Sequence, residues 1–184
     1  MVKPVIGILG GSGFVGSYLS NELIKNGYAV RIITRKRENA RHLWLLPQSE
    51  IKVTKTFTKE GLSQVLDGCV AVVNLIGILN EKWDNGKGFK AVHTDITENL
   101  LEACKRLDIP QLLQITALNA NKSEASHYLK SKNAAEAILL ASKVEKTTKA
   151  NQNGKTTSLP KVTIIRPSVI FGSRDSFTNR FHTL

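Results

Sequence analysis

Cysteine is almost missing from this chain: 184 residues hold two, Cys69 and Cys104, each alone in an apolar stretch. That excludes a disulfide framework and the paired spacing of a zinc site, and it reads as two buried free thiols. Histidine is equally sparse. His42, His93, His127 and His182 are scattered, so no metal site is expected. Long apolar runs are absent as well. Hydrophobic residues make up 41% of the chain, yet no run approaches the ~18 residues of a membrane span. The apolar stretch from Val5 is cut by glycines and leads straight into a folding motif, unlike the core of a signal peptide. Nothing Arg/Ser-rich of the transit-peptide kind is seen, and a cytoplasmic location is expected. Acidic residues are few: 15 against 26 lysines and arginines, a net charge of +11. Such a balance suits nucleic acid, an anionic membrane surface or anionic small ligands. Aromatics are only 6% and do not interleave with an Arg/Lys stripe, so nucleic acid is not expected. The plainest reading is a Lys-rich solvated surface.

What is present is a regular alternation. Apolar runs at Val5–Leu9, Ala29–Thr34, Ile51–Thr54, Cys69–Leu75, Gln111–Thr116 and Val162–Ile165 predict six buried strands. Between them, helical spacing predicts helices over Gly16–Asn26, Leu62–Leu66, Phe89–Leu107 and His127–Ser142, with Gly27, Gly68 and Pro110 as stops. Near-continuous apolar strands separated by amphipathic helices predict a doubly wound parallel α/β sheet. Residues 1–184 are expected to form one such domain, with a C-terminal lobe of the usual kind missing after Leu184. One segment breaks the pattern. Lys143–Lys161 is polar, Lys-rich and nearly free of apolar residues, so a surface loop insertion is expected there.

The most informative motif is Gly10-Gly11-Ser12-Gly13-Phe14-Val15-Gly16, between the first strand and the first helix. Its Gly10-x-x-Gly13-x-x-Gly16 spacing differs by one residue from the GxGxxG dinucleotide fingerprint. The chemistry is the same. Glycines permit a tight turn and let backbone amides approach a pyrophosphate, and the helix that follows directs its positive end at the phosphates. Gly10, Ser12, Gly13, Phe14, Val15 and Gly16 are therefore the expected phosphate-binding segment. The end of the second strand refines the cofactor. NAD-selective domains place a carboxylate there to accept the ribose hydroxyls. Here the strand runs into Thr34-Arg35-Lys36-Arg37, with no carboxylate before Glu38. Arg35 can pair a 2′-phosphate bidentately, so NADP(H) is expected over NAD(H).

Tyr128 and Lys132 stand at i and i+4, on one helix face after the fifth strand. An ammonium beside a phenol favours the phenolate. The pair thus suits proton exchange with a carbonyl or alcohol, and Lys132 suits a ribose contact as well. The hydroxyl at the end of the fifth strand is Thr116, the candidate third catalytic group.

These pieces together resemble the extended and atypical short-chain dehydrogenase/reductase superfamily. The matching stretches are GGSGFVG (10–16), VVNLIGIL (72–79), ITALNA (115–120), YLKSK (128–132) and IIRPSVIFG (164–172). A narrower resemblance rests on NLIGIL, Phe89, His93, TALNA and RPSVIFGSRDSFTNRF. It points to the atypical branch named for the nine-alpha accessory subunit of respiratory complex I, whose bacterial relatives are NAD(P)-binding or epimerase/dehydratase-like proteins. The resemblance implies tightly held, often structural NADPH, and leaves a respiratory-chain complex or a membrane surface as the candidate partner. It also implies a location that is cytoplasmic or peripheral at the inner membrane. It places Gly10, Gly13 and Gly16 at the pyrophosphate and Arg35 at the 2′-phosphate. Leu75, Ile76 and Gly77 would lie along the nicotinamide ribose, and Pro167, Ser168 and Val169 beside the nicotinamide. Two departures stand out. The superfamily's catalytic Ser/Thr aligns with Ala117, leaving Thr116 displaced by one, and a one-residue shift on a strand reverses the side chain's face. The acidic residue that contacts adenine is replaced by Thr56. The two leading readings are therefore a cofactor-holding accessory or assembly protein and an active reductase, epimerase or dehydratase.

Overall fold

The computed structural model describes residues 2–122, 126–144, 159–173 and 175. Six strands form one sheet: β1 (Val5–Leu9), β2 (Ala29–Thr34), β3 (Ser49–Val53), β4 (Cys69–Asn74), β5 (Gln111–Ile115) and β6 (Lys161–Ile165). Their spatial order is β3-β2-β1-β4-β5-β6, and every neighbouring pair is parallel. The order reverses between β1 and β4, which opens the crevice where doubly wound sheets bind ligands. The helices are α1 (Phe14–Lys25), α2 (Lys59–Leu66), α3 and α4 (His127–Val144). Helix α3 runs through three consecutive stretches: α-helical Lys87–Phe89, π-helical Lys90–Asp95 and α-helical Ile96–Arg106.

Both faces of the sheet are buried, as the apolar strands require. Ile8 and Ile32 pack on one face with Val30, Ala71 and Val73. Their neighbours Leu9 and Ile33 turn to the other face, against Leu66, Leu100 and Leu112. This period-2 alternation lets each strand feed two cores. Cys69 and Cys104 are both free and buried. Burial pushes the Cys104 thiol up to about 12, so it remains protonated and unreactive.

Three local differences from the sequence reading have physical causes. Strand β3 starts at Ser49, because Ser49 and Glu50 already pair with Val30 and Arg31. A 3-10 helix, Arg37–Leu43, follows β2 in a stretch too polar to show helical periodicity; only Ala40 and Leu43 anchor it in the core. Helix α3 begins before Phe89, because a distant carboxylate caps it. Glu81 accepts the backbone N–H groups of Gly86, Gly88 and Phe89. Of the expected Lys143–Lys161 loop, residues 145–158 lie outside the described residues, as do 174 and 176–181 of the C-terminal motif.

The turn from β1 into α1 depends on close backbone approach. Gly10 has φ +75°, and its carbonyl accepts the Gly13 N–H at 3.0 Å. A Cβ on Gly16 would stand 2.5 Å from Gly11 Cα and 2.6 Å from the Gly10 carbonyl oxygen. A Cβ on Gly13 would meet only the Gly10 oxygen, at 3.2 Å. Gly16→Ala is therefore expected to cost about 1–3 kcal/mol through overpacking. Gly13→Ala should cost clearly less, and urea denaturation of the two variants measures the difference.

Candidate functional site

Two cavities meet above the carboxyl ends of the strands. The first is a groove of about 270 Å³ whose lining includes Gly10, Ser12, Gly13, Arg35, Leu75, Ile76 and Gly77. The second is a chamber of about 210 Å³, with Val15, Thr116, Ala117, Tyr128, Lys132, Pro167 and Ser168 on its walls. Leu75, Gly77 and Ile78 belong to both, so one elongated ligand can run from groove to chamber. The other expected residues lie close by. Gly16 is packed beneath the glycine turn. Phe14 borders a shallow depression with Ser12, Ser17 and His42. Val169 is exposed and lines neither cavity. The glycine turn offers a dinucleotide what it needs: backbone without side chains, and the start of α1, where no side chain caps the first amides.

The turn after β4 is held by a buried amide pair. Asn74 Nδ2 donates to Gln114 Oε1 at 2.9 Å, and Asn74 Oδ1 accepts the Ile76 N–H at 3.1 Å. Two residues further on, the Ile78 N–H donates to Nε2 of His93 at 3.1 Å. That bond leaves the ring proton on Nδ1, which faces Ser131 Oγ at 2.8 Å. The Ser131 hydroxyl in turn donates to the Tyr128 carbonyl at 2.7 Å. Proton directions are thus set along the whole chain of contacts. Burial pulls His93 down to about 3, helped by the Lys132 charge, and the imidazole stays neutral as its acceptor role demands. Phe89 stacks on it at 5.7 Å and Tyr128 meets it edge-on at 5.4 Å.

Lys132 is 4% exposed, and burial pulls it down to about 8. It lies against the β4 turn, where a Cβ on Gly77 would be 3.3 Å from its Nζ. Burial pushes the Tyr128 phenol above its ordinary value, and nothing opposes that shift. The sequence reading expected Lys132 to lower it. Desolvation prevails: Nζ stands 5.8 Å from the ring centroid and itself sheds its proton near pH 8. Thr116 is buried, and its hydroxyl faces the Ile165 carbonyl at 3.4 Å and the Glu136 carboxylate. Glu136, one turn beyond Lys132 on α4, grips Arg166 through Nε at 2.8 Å and Nη2 at 2.5 Å. Burial pushes Glu136 up, but the bonds from Arg166 and Thr116 outweigh it, and the net shift is downward. This pair fixes the chain that carries Pro167 and Ser168 into the chamber.

Several lining residues carry no sequence motif. Asn39, Phe57, Val92 and Ile96 border the groove. His93 and Ser131 act through hydrogen bonds between elements far apart in the chain, which no local spacing encodes; Ser131 beside Lys132 was a visible hydroxyl without a visible partner. Among the described residues, no group of three or more His, Cys, Asp or Glu is placed to hold a metal.

The buried base pair of the site predicts a pH dependence. Between pH about 8 and 10.5 the unfolded chain retains a Lys132 proton that the folded protein has shed, so stability rises with pH across that window. The rise should approach about 2–3 kcal/mol and vanish in Lys132→Met. By the same sign rule, His93 lowers stability as pH falls from 6.5 towards 3, because only the unfolded chain takes up its proton. Urea midpoints over a pH series, wild type against Lys132→Met, check the alkaline limb.

The chain is 29% identical over 177 residues to the mitochondrial NADH dehydrogenase [ubiquinone] 1 alpha subcomplex subunit 9 of Arabidopsis thaliana, covering 94% of this chain and 40% of that protein. It is 24% identical over 176 residues to the ceramide reductase of Caulobacter vibrioides, covering 96% and 49%. Among solved structures, UDP-glucuronic acid 4-epimerase from Bacillus cereus in complex with NAD shares the fold, with a TM-score of 0.72 at 21% identity over 93% of this chain and 58% of that one. The chain spans about half the length of such relatives. Residues 6–183 match the description "NAD dependent epimerase/dehydratase family", and the chain belongs to that family.

Proposed function

We propose that this chain is the nucleotide-binding part of a protein that holds NADP(H) as a resident cofactor and serves as an accessory or assembly factor of the respiratory complex I type. The observation that carries this reading is the state of the reaction chamber. Ala117 presents no hydroxyl to it, the Thr116 hydroxyl is engaged with Glu136 and Ile165, and the Tyr128 phenol is pushed up rather than down. Such a chamber favours retention of a cofactor over its turnover. The similarity to the alpha subcomplex subunit 9 supports the same reading. Arg35, exposed at the rim of the groove with no carboxylate beside it in the chain, supports the 2′-phosphate form. Among the described residues no helix is long and apolar enough to cross a membrane. The location proposed, on the similarity to the complex I subunit, is cytoplasmic or peripheral at the inner membrane.

A second reading, an active reductase, epimerase or dehydratase, is favoured by one observation: Tyr128 and Lys132 both line the chamber. Bound NADPH would supply a hydride there. Lys132 would hold the ribose hydroxyls, and Tyr128 would pass a proton to the substrate oxygen once the cofactor raised the local polarity.

Two measurements separate these readings. Under the proposal, the purified protein carries NADPH identifiable by mass spectrometry, and NADPH raises its melting temperature more than NADH does. Arg35→Ala should weaken NADPH binding about 10- to 100-fold, the worth of a charge-assisted pair, and leave NADH unchanged. Equal stabilisation by both nucleotides in wild type and variant would remove the 2′-phosphate assignment. For the second reading, bound NADPH should be consumed by a carbonyl substrate, and Tyr128→Phe should abolish that consumption. Persistence of bound NADPH in both proteins favours the accessory role.

A further inference from the structure

The 3-10 helix after β2 presents three distinct faces. Ala40 and Leu43 turn inward, almost wholly buried. Asn39, with Arg35 just ahead of the helix, borders the nucleotide groove. Arg37 and Arg41 turn outward, their guanidinium carbons 5.8 and 5.9 Å from the centroid of the Trp44 indole. Trp44 remains 48% exposed, and Leu45 beside it is 97% exposed. Lys36 is exposed too. Between residues 35 and 48 the chain has a single carboxylate, Glu38. His42 holds the segment to the body of the protein through Ser17 Oγ at 2.9 Å.

A lone exposed leucine is commonplace and calls for no explanation. An exposed leucine next to an indole flanked by two guanidiniums is a different composition. Indoles settle at the boundary between lipid headgroup and acyl chain, and leucine just below it. Cations beside them gain from the negative potential of an anionic leaflet. A nucleic acid is a poorer match. Stacking of a base needs a free aromatic face, whereas this indole already has two guanidinium partners, and Leu45 offers nothing to a phosphodiester. None of the cavities described above includes Arg37, Arg41, Trp44 or Leu45. The surface lies outside those cavities, and its composition suits a deformable bilayer.

We propose that Lys36, Arg37, Arg41, Trp44 and Leu45 form a docking surface for an anionic lipid bilayer, with the cations on headgroup phosphates and Trp44–Leu45 entering the interfacial layer. The proposal rests on the peripheral location proposed above and specifies how it is achieved. It also puts the lipid contact on the same short helix that borders the nucleotide groove.

The test uses the full chain and vesicles of phosphatidylcholine, with or without phosphatidylglycerol. The protein should sediment with the anionic vesicles only, and less so as salt is raised. In a Trp83→Phe background, the Trp44 emission should shift to the blue on binding. Arg37→Glu with Arg41→Glu reverses two charges and should reduce partitioning at least about 100-fold; Trp44→Ala with Leu45→Ser should reduce it about tenfold. Both variants should retain thermal stabilisation by NADPH, which shows that they fold and keeps failure of docking distinct from failure of the nucleotide reading. Absence of binding to anionic vesicles, or equal binding by wild type and both variants, overturns the proposal. So does a preference for duplex or single-stranded DNA over vesicles.

Discussion

The neutral imidazole of His93 joins the two halves of the site. One ring nitrogen accepts the Ile78 N–H from the β4 turn, and the other faces Ser131 on α4. The turn lines the groove, while α4 carries Tyr128 and Lys132. The ring bridges them beside the direct approach of Lys132 to the turn at Gly77. A protonated ring would direct an N–H at the Ile78 N–H and break the connection. Burial and the nearby Lys132 charge keep the ring neutral far below its ordinary titration range, so the same environment that makes the site dry also preserves the bond that shapes it.

Dryness has a second consequence. Lys132 and Tyr128 are each shifted towards their neutral forms by desolvation. At neutral pH Lys132 still carries most of its charge, while the Tyr128 phenol keeps its proton. A phenolate on Tyr128 would need further polar atoms beside it to offset the desolvation. The opposite end of the groove, where Arg35 and Asn39 are exposed, lies apart from the walls of the chamber.

How much of this was legible in the sequence follows from the range of the interactions. The strands were readable because each is buried on both faces, which leaves an uninterrupted apolar run. The glycine turn was readable because backbone approach at Gly16 is a property of neighbouring residues, and Tyr128 and Lys132 because a helix places i and i+4 together. The 3-10 helix was not, since two buried residues, Ala40 and Leu43, suffice to anchor it. The start of α3 was not, since its cap, Glu81, comes from outside the helix. Nor were the roles of His93, Ser131 and Phe57 visible: each depends on a partner, or on a groove wall, contributed by another part of the chain. Lys132's lowered proton affinity likewise emerges only once burial is known.

Thr116 shows how strand geometry restricts chemistry. Along β5 and its continuation, Leu112, Gln114 and Thr116 are buried, while Leu113, Ile115 and Ala117 are partly exposed. Thr116 thus shares its orientation with Gln114, the residue that latches β5 to β4. Its backbone N–H continues the ladder to the Ile165 carbonyl at 2.9 Å. With the backbone so held, its hydroxyl cannot take the place of one on Ala117 without breaking that ladder. It faces the Ile165 carbonyl at 3.4 Å instead, at the start of the segment bearing Pro167 and Ser168. The hydroxyl at the end of β5 therefore supports the wall of the chamber that Tyr128 and Lys132 also line.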